Sequence, residues 1–366
     1  MIYLDNGATS FYKPSEVSKA MLHAMRTCAN PGRGGYQASM EAAKVVYECR
    51  EMVADFFDCD LEQVIFTSNC THGLNIAIRS MVRPGSRVVV SGFEHNAVMR
   101  PLYELKADIL VAGRKLFDHA DTLSMFEGYL RQGVDLVVTT HVSNVFGYIL
   151  PIEQISELCK KYNVPLILDA AQSAGSLPIS FKKLGVSFIA MPGHKGLLGP
   201  QGTGILLCDD VAKPLIYGGT GSNSIAKTMP ENLPERLEAG TLNVPGIAGL
   251  HAGIVWLKKK EISTIESRKI KECRYCVAKL KGMGIAVFSG EHQSGTFSFI
   301  PPDGDCENIA YRLARRSIAV RSGLHCAPLA HESAGTLHTG TVRVSFGIDS
   351  HRMQSNMFVE TVKQLI

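Results

Sequence analysis

Short runs of consecutive apolar residues alternate with segments of helical period along the first two-thirds of this 366-residue chain. Four such runs lie at 64–67, 87–91, 136–140 and 165–169, and residues 36–57 carry apolar side chains three and four positions apart. A strand that is apolar throughout is buried on both faces, which is typical of parallel sheets covered by helices. The pattern predicts an α/β fold with a mainly parallel central sheet and helices on both of its faces.

The last third of the chain follows a different order. Glycines and prolines interrupt residues 217–235, which are predicted to form a loop. Helical patterns from about 246 to 283 precede four short strand-like runs and two further helices. We therefore expect a large α/β domain over residues 1–245 and a smaller α+β domain over residues 246–366, with which the N-terminal segment could also pack.

Composition and charge argue against several classes of protein. The 38 Lys and Arg residues exceed the 34 Asp and Glu residues by only four, so no nucleic-acid-binding surface is expected. No apolar stretch is long enough to cross a membrane, and the N-terminus has no secretion-signal pattern, so we expect a cytoplasmic protein. Ten scattered cysteines then predict free thiols without a metal site, including Cys273 and Cys276, which share a helical pattern.

Two apolar strands end near residues that carry chemistry. Asp169 closes the run Leu166-Ile-Leu-Asp, and Lys195 lies in a glycine-rich turn just after the run that ends near Met191. Open α/β sheets bind ligands at the carboxyl ends of their strands, where a buried carboxylate needs a cationic partner. A lysine amine and a carboxylate are the groups that pyridoxal phosphate requires, one to form an imine and the other to keep the pyridine nitrogen protonated.

Through these motifs the chain resembles the class V aminotransferase family of fold-type I pyridoxal-phosphate enzymes, and most closely the group II, SufS-like cysteine desulfurases. The likeness extends from Tyr3-Leu-Asp-Asn-Gly-Ala-Thr9 to Arg343. It implies that the large domain binds pyridoxal 5'-phosphate. The residues that it assigns to the cofactor are the Schiff-base lysine Lys195, the pyridinium partner Asp169, Gln172 and Asn144 near the phenolic oxygen, and His95 stacked on the ring.

The resemblance also implies how the cofactor phosphate is held. Free N–H groups at the start of the helix after the first long strand favour an anion, so Thr71 and His72 are expected there, with His194 nearby. Thr241 matches a threonine that reaches the phosphate of the partner subunit, which implies a homodimer with shared active sites. Two residues depart from the family pattern, because Pro192 stands where a hydroxyl residue is common and His72 where an acidic residue is common.

The predicted small domain carries a second motif. The stretch Arg321-Ser-Gly-Leu-His-Cys326 resembles the group II motif with the sulfur-accepting cysteine, which implies that Cys326 is the catalytic thiol. Arg343 matches the arginine that clamps the substrate carboxylate, with Asn144 and Arg321 as further substrate contacts. A free thiol is largely protonated at pH 7, so Arg321, His325 and the bound cofactor are expected to be the positive neighbours that activate it.

The implied function is the conversion of L-cysteine to L-alanine, with a persulfide formed on Cys326. The persulfide sulfur then passes to an acceptor, and a sulfur-acceptor protein is one candidate partner. Three alternatives on the same scaffold stay open, namely a selenocysteine lyase that acts on L-selenocysteine, a cystine-type C–S lyase and another class V enzyme. A sulfur-relay partner without turnover is a fourth alternative, because of Pro192 and His72.

Overall fold

The apolar runs of the sequence form buried strands in the structure, a computed structural model that describes residues 1–32, 34–221 and 224–366. The strands in chain order are β1 (Ile2–Tyr3), β2 (Val64–Thr67), β3 (Arg87–Ser91), β4 (Asp108–Ala112), β5 (Leu136–Thr140), β6 (Leu166–Asp169), β7 (Phe188–Pro192), β8 (Gly204–Cys208), β9 (Ala286–Phe288), β10 (Thr296–Ile300), β11 (Ile318–Ala319), β12 (Arg321–Gly323) and β13 (Thr341–Ser345). The helices are α1 (Ser15–Thr27), α2 (Gln37–Phe57), α3 (Cys70–Met81), α4 (Asn96–Glu104), α5 (His119–Leu130), α6 (Ile152–Lys161), α7 (Phe181–Leu184), α8 (Val244–Lys260), α9 (Ile262–Gly282), α10 (Cys306–Arg315), α11 (Pro328–Ala334) and α12 (Arg352–Leu365).

Seven of the described strands form the central sheet, in the order β2-β8-β7-β6-β5-β3-β4. Strand β8 runs antiparallel to both of its neighbours, and the other neighbouring pairs are parallel. Every residue of β2, β5, β6, β7 and β8 is buried, as uninterrupted apolar runs require. The predicted α/β fold with a mainly parallel central sheet is therefore confirmed.

Helices bury both faces of this sheet, because successive side chains of a strand point to opposite sides. On one side, Val88 and Val90 of β3 belong to a core with Leu74 of α3 and Leu102 of α4. On the other side, Val89 belongs to a core built by α2, α5, α6 and α8. Two close-packed cores hold the strands, and therefore hold the residues at the strand ends in place.

The last third of the chain builds a second, antiparallel sheet of order β12-β13-β10-β9, which packs on α9, α10 and α12. Strand β1 pairs in parallel with β11, and Asp5 then bridges to Ser345 of β13. The first residues of the chain thus lie against elements formed by its last residues.

Helix α8 lies on the central sheet side of the predicted domain boundary. It packs against α1 and α2, and its residues Ile247, Leu250 and Ile254 join the core of the central sheet. The boundary at residue 245 stays a prediction, and these contacts favour moving it to the turn between α8 and α9 at Glu261.

The sequence patterns do not predict α1, α5 or α11. Helix α1 buries only Val17 and Ala24 in this chain. Residues 217–221 and 224–235 contain no helix or strand, as expected for a loop, while Ser222 and Asn223 of that prediction lie outside the described residues. Within the described ranges no helix combines the length and the apolar character needed to cross a membrane.

Candidate active site

Asp169 and Lys195 line one cavity at the carboxyl edge of the central sheet. Strand β6 ends at Asp169, and its parallel neighbour β7 ends at Pro192, shortly before Lys195. Parallel neighbours end at the same sheet edge, so the two strands bring both side chains to one place. Five more predicted cofactor residues line the cavity: Thr71, His95, Asn144, Gln172 and His194.

The Asp169 carboxylate has one bonded oxygen and one available oxygen. Its Oδ1 accepts from the Ala171 N–H at 2.9 Å and from the Cys70 thiol at 3.6 Å. The described residues supply no hydrogen bond to Oδ2, which is therefore available to a ligand in the cavity. Burial raises the pKa of Asp169, whereas the Ala171 N–H, the Lys195 ammonium and the Cys70 thiol lower it. A cationic N–H group would satisfy this carboxylate.

Burial also shifts Lys195 and His95 toward their neutral forms. It lowers the pKa of Lys195, with Cys70 and Asp169 acting in the opposite direction. It lowers the pKa of His95 to about 4, and the positive charge of Lys195 adds to this shift. His95 caps α4, where its Nδ1 accepts from the Ala97 N–H at 3.0 Å, so the proton of the neutral ring lies on Nε2. The site therefore offers a neutral imidazole beside an amine whose pKa is lowered.

Helix α3 turns its N-terminus toward the cavity. Asn69 caps the helix by accepting from the His72 N–H at 2.9 Å, and Thr71 of the first turn lines the cavity. His194 is held by Thr9, whose Oγ1 lies 3.0 Å from the His194 Nδ1. Burial lowers the pKa of His194 to about 4, so this ring is neutral as well. An anion at this place would be bound by helix amides and neutral donors.

His72 and Thr241 lie apart from the other predicted cofactor residues. Both line a neighbouring cavity, which they share with Ser68 and Asn243 of the same chain. The His72 Nδ1 lies 3.3 Å from the Ser68 Oγ, and burial lowers the pKa of its ring. Their roles at the phosphate stay predictions.

Arg343, the predicted carboxylate clamp, is buried and has two partners. Its Nη2 donates to Asp5 Oδ1 at 2.7 Å, and its Nη1 donates to the Asn144 carbonyl at 3.1 Å. Arg321 binds the other oxygen of Asp5, from Nε at 3.0 Å and from Nη2 at 2.9 Å. Sequence reasoning gave Asp5 no role, although its position in the Tyr3–Thr9 motif was the available signal.

Cys326 carries the only exposed thiol in the part of the chain that the structure describes. It lies in a strained turn, because His325 and Cys326 have φ values of 49° and 56°, in the left-handed region that favours glycine. Two bonds hold this turn: Asn144 Nδ2 donates to the His325 carbonyl at 2.8 Å, and the Asn96 N–H donates to the Cys326 carbonyl at 2.7 Å. Asn144 therefore holds the thiol turn and also lines the cavity. Asn96, which holds the other carbonyl of the turn, directly follows His95, and His95 lines the cavity as well.

His325 does not supply the positive charge that was expected beside the thiol. Burial, together with the charge of Arg343, lowers the pKa of His325 to about 2, so its imidazole is neutral. Its Nε2 lies 3.3 Å from the Thr341 Oγ1, which fixes the ring against β13. Arg321, the other protein cation that was expected there, forms an ion pair with Asp5.

The Cys273 and Cys276 pair shows no sign of metal binding. Both thiols are buried in α9, and burial raises the pKa of Cys276 to about 12. Among the described residues no group of three or more His, Cys, Asp and Glu side chains could hold a metal ion.

The chain is similar to known proteins both in sequence and in structure. Residues 2–356 match the family model Aminotransferase class-V. A probable cysteine desulfurase from Pyrococcus abyssi is 32% identical, over 100% of this chain and 94% of that protein. Another from Methanothermobacter thermautotrophicus is 31% identical with the same coverage. The apo structure of a cysteine desulfurase from Thermococcus onnurineus NA1 superposes with a TM-score of 0.93 at 30% identity, covering 100% of this chain and 94% of that one.

Proposed function

The chain belongs to the class V aminotransferase family, and from this membership we propose that it is a cysteine desulfurase that uses pyridoxal 5'-phosphate. One observation carries the proposal. The exposed thiol of Cys326 lies in a turn whose carbonyls are held by Asn144 and Asn96, at the cavity that contains Lys195 and Asp169. A sulfur acceptor and a cofactor site are therefore joined by direct hydrogen bonds.

The residues of the cavity fit pyridoxal 5'-phosphate. Asp169 Oδ2 is available for a protonated ring nitrogen, the Lys195 amine can form the imine, and the N-terminus of α3 can hold the phosphate. When bound, the cofactor supplies an aldehyde for the substrate amine and an electron sink for the bonds at the substrate Cα. The neutral ring of His95 could stack on the cofactor without placing a second positive charge beside a pyridinium.

Each remaining side chain then has a defined task. Lys195, with its lowered pKa, can accept the Cα proton of the substrate as a neutral amine and return it. Arg343 binds the substrate carboxylate, because its buried guanidinium is rigidly placed by Asn144 and by Asp5. Asn144 lies between this group and the thiol turn, so it can orient the substrate toward Cys326.

Sulfur transfer balances without an external oxidant. The Cys326 thiolate attacks the sulfur of L-cysteine, an S–S bond forms and the Cβ–S bond breaks. The electron pair of the broken bond stays on the carbon side, where Cβ takes up a proton. The products are a Cys326 persulfide and L-alanine. Since Cys326 is exposed, the persulfide can be handed to an external acceptor, including a sulfur-acceptor protein.

A homodimer is part of the proposal. Helices α1 and α2 present large apolar side chains to solvent in the single chain: Leu22, Met25, Met40 and Tyr47. Such a surface is typical of a protein interface. The family resemblance predicts that Thr241 of the partner subunit reaches the phosphate site in such a dimer.

Product analysis of a thiol variant tests the proposal. The holoprotein is given L-cysteine, and L-alanine is measured against pyruvate. We expect alanine from the unchanged protein, no alanine above background from Cys326→Ser, and normal alanine from Cys28→Ser, which removes a partly buried thiol elsewhere. Pyruvate as the main product would indicate a C–S lyase instead. Activity of Cys326→Ser on L-selenocysteine, with L-cysteine activity lost, would favour a selenocysteine lyase.

A further inference from the structure

Arg321, Arg343 and Asp5 form a charge cluster next to the cavity. The two arginines lie directly opposite each other on β12 and β13. Like charges in this position repel each other, so an anion between them is favourable. Asp5 supplies it, with Oδ1 bound to Arg343 and Oδ2 bound to Arg321. Two positive charges and one negative charge leave the cluster with one uncompensated positive charge.

Asp5 is fixed by backbone contacts on both sides. The Ser345 N–H donates to the Leu4 carbonyl at 2.7 Å, and the Gly7 N–H donates to the Ser345 Oγ at 2.7 Å. Asp5 is therefore part of a strand-like segment and not a mobile side chain on a free terminus. Only 8% of its surface is exposed, so its charge acts in a poorly hydrated place.

The Arg343 guanidinium is closely surrounded by other groups of the chain. Its Nε is buried and has no hydrogen-bond partner among the described residues. The face of the guanidinium is covered by Gly7, where a Cβ atom would lie 3.1 Å from the Arg343 Cζ. The group is thus confined by Gly7, Asp5 and Asn144.

We propose that Asp5 is a specificity-determining residue, which restricts the substrate to amino acids with a single anionic group. It neutralises one arginine and leaves one positive charge for one carboxylate. A second anionic group on the ligand would enter a poorly hydrated site without a counter-charge, and this is costly. The inference rests on the proposed function to the extent that Arg343 binds the substrate carboxylate there.

The test compares two non-sulfur amino acids as ligands of the holoprotein. L-Alanine carries one anionic group and L-aspartate carries two, and binding is followed by the absorbance of the bound cofactor. In Asp5→Asn the cluster gains one positive charge with little change of shape. We expect the affinity for L-aspartate relative to L-alanine to rise at least about tenfold. An unchanged or lowered ratio would overturn the proposal.

A charge-balanced double variant is the matched control. Asp5→Asn combined with Arg321→Gln restores a single positive charge, so the affinity ratio should return to within about twofold of the unchanged protein. A ratio that stays as high as in Asp5→Asn would also overturn the proposal.

Arg321→Gln alone keeps the proposal testable if Asp5→Asn does not fold. It leaves Asp5 and Arg343 with no net charge, so L-alanine should bind at least about tenfold more weakly, and unchanged binding counts against the idea. These titrations need no sulfur chemistry. A failure of alanine production from L-cysteine would therefore reject the desulfurase function and leave the result for Asp5 standing.

Discussion

Glu94 should make the folded protein lose stability as the pH rises, because it is a fully buried carboxylic acid. The side chain is fully buried, Oε1 accepts from the Ser91 hydroxyl and from the Thr140 N–H, and Oε2 has no partner among the described residues. Burial raises the pKa of Glu94 from 4.5 to about 8, with the charge of Asp169 adding to the effect and the two donors opposing it. Between these two values the folded protein keeps a proton that the unfolded chain releases, so unfolding becomes more favourable with rising pH.

The size of this effect follows from the two pKa values. Each tenfold change in proton affinity is worth about 1.4 kcal/mol, so the shift corresponds to a loss of about 4 kcal/mol between pH 5 and pH 9. The amide of Glu94→Gln resembles the protonated acid and does not titrate. Urea denaturation at the two pH values should therefore show about 4 kcal/mol less loss for Glu94→Gln than for the unchanged protein. The exposed Glu104→Gln serves as control and should behave like the unchanged protein. An equal loss in Glu94→Gln and the unchanged protein would refute the reasoning.

Two further predictions concern the thiol turn and a buried ion pair. Asn144→Ala removes the 2.8 Å hydrogen bond to the His325 carbonyl, which is worth about 1 kcal/mol. Hydrogen exchange at the Ala327 amide, measured by mass spectrometry, should therefore become about fivefold faster. Unchanged exchange would mean that Asn144 does not hold the turn. Arg50→Ala leaves the Glu238 carboxylate buried without its partner at 2.8 Å, and urea denaturation should show a loss of roughly 3–5 kcal/mol. The double variant Arg50→Met with Glu238→Leu should recover most of this loss, and equal losses in both would contradict the assignment to an unpaired charge.

The part of the site that lies on the strand ends follows from the sequence. Asp169 and Lys195 each come after an uninterrupted apolar run, and such runs become neighbouring parallel strands whose carboxyl ends meet. The positions of these apolar runs are enough to predict that the two side chains lie close together. The family resemblance adds the other residues that line the cavity. The same reasoning predicts most strands, because full burial leaves a strong signal in composition.

The remainder of the site depends on contacts that no local pattern records. Asp5 meets Arg321 and Arg343 across more than 300 residues of chain, and the pairing of β1 with β11 and the bridge from Asp5 to Ser345 bring them together. The expected charge on His325 was wrong for a related reason, since burial decides its protonation and a residue between a leucine and a cysteine gives no hint of burial. Helix α1 was not predicted, although it packs against α8.

The contacts of Asp5 and Gly7 with β13 can form only late during synthesis. Asp5 and Gly7 leave the ribosome 338 residues ahead of their partners Arg343 and Ser345. The central sheet can collapse around its own strands before that moment, since its seven strands lie between residues 64 and 208. In a nascent chain, the cavity residues between 69 and 195 would thus be in place before Arg343 is available to bind the substrate carboxylate. Capture of the amino acid would begin only after Asp5 and Gly7 have met Arg343 and Ser345.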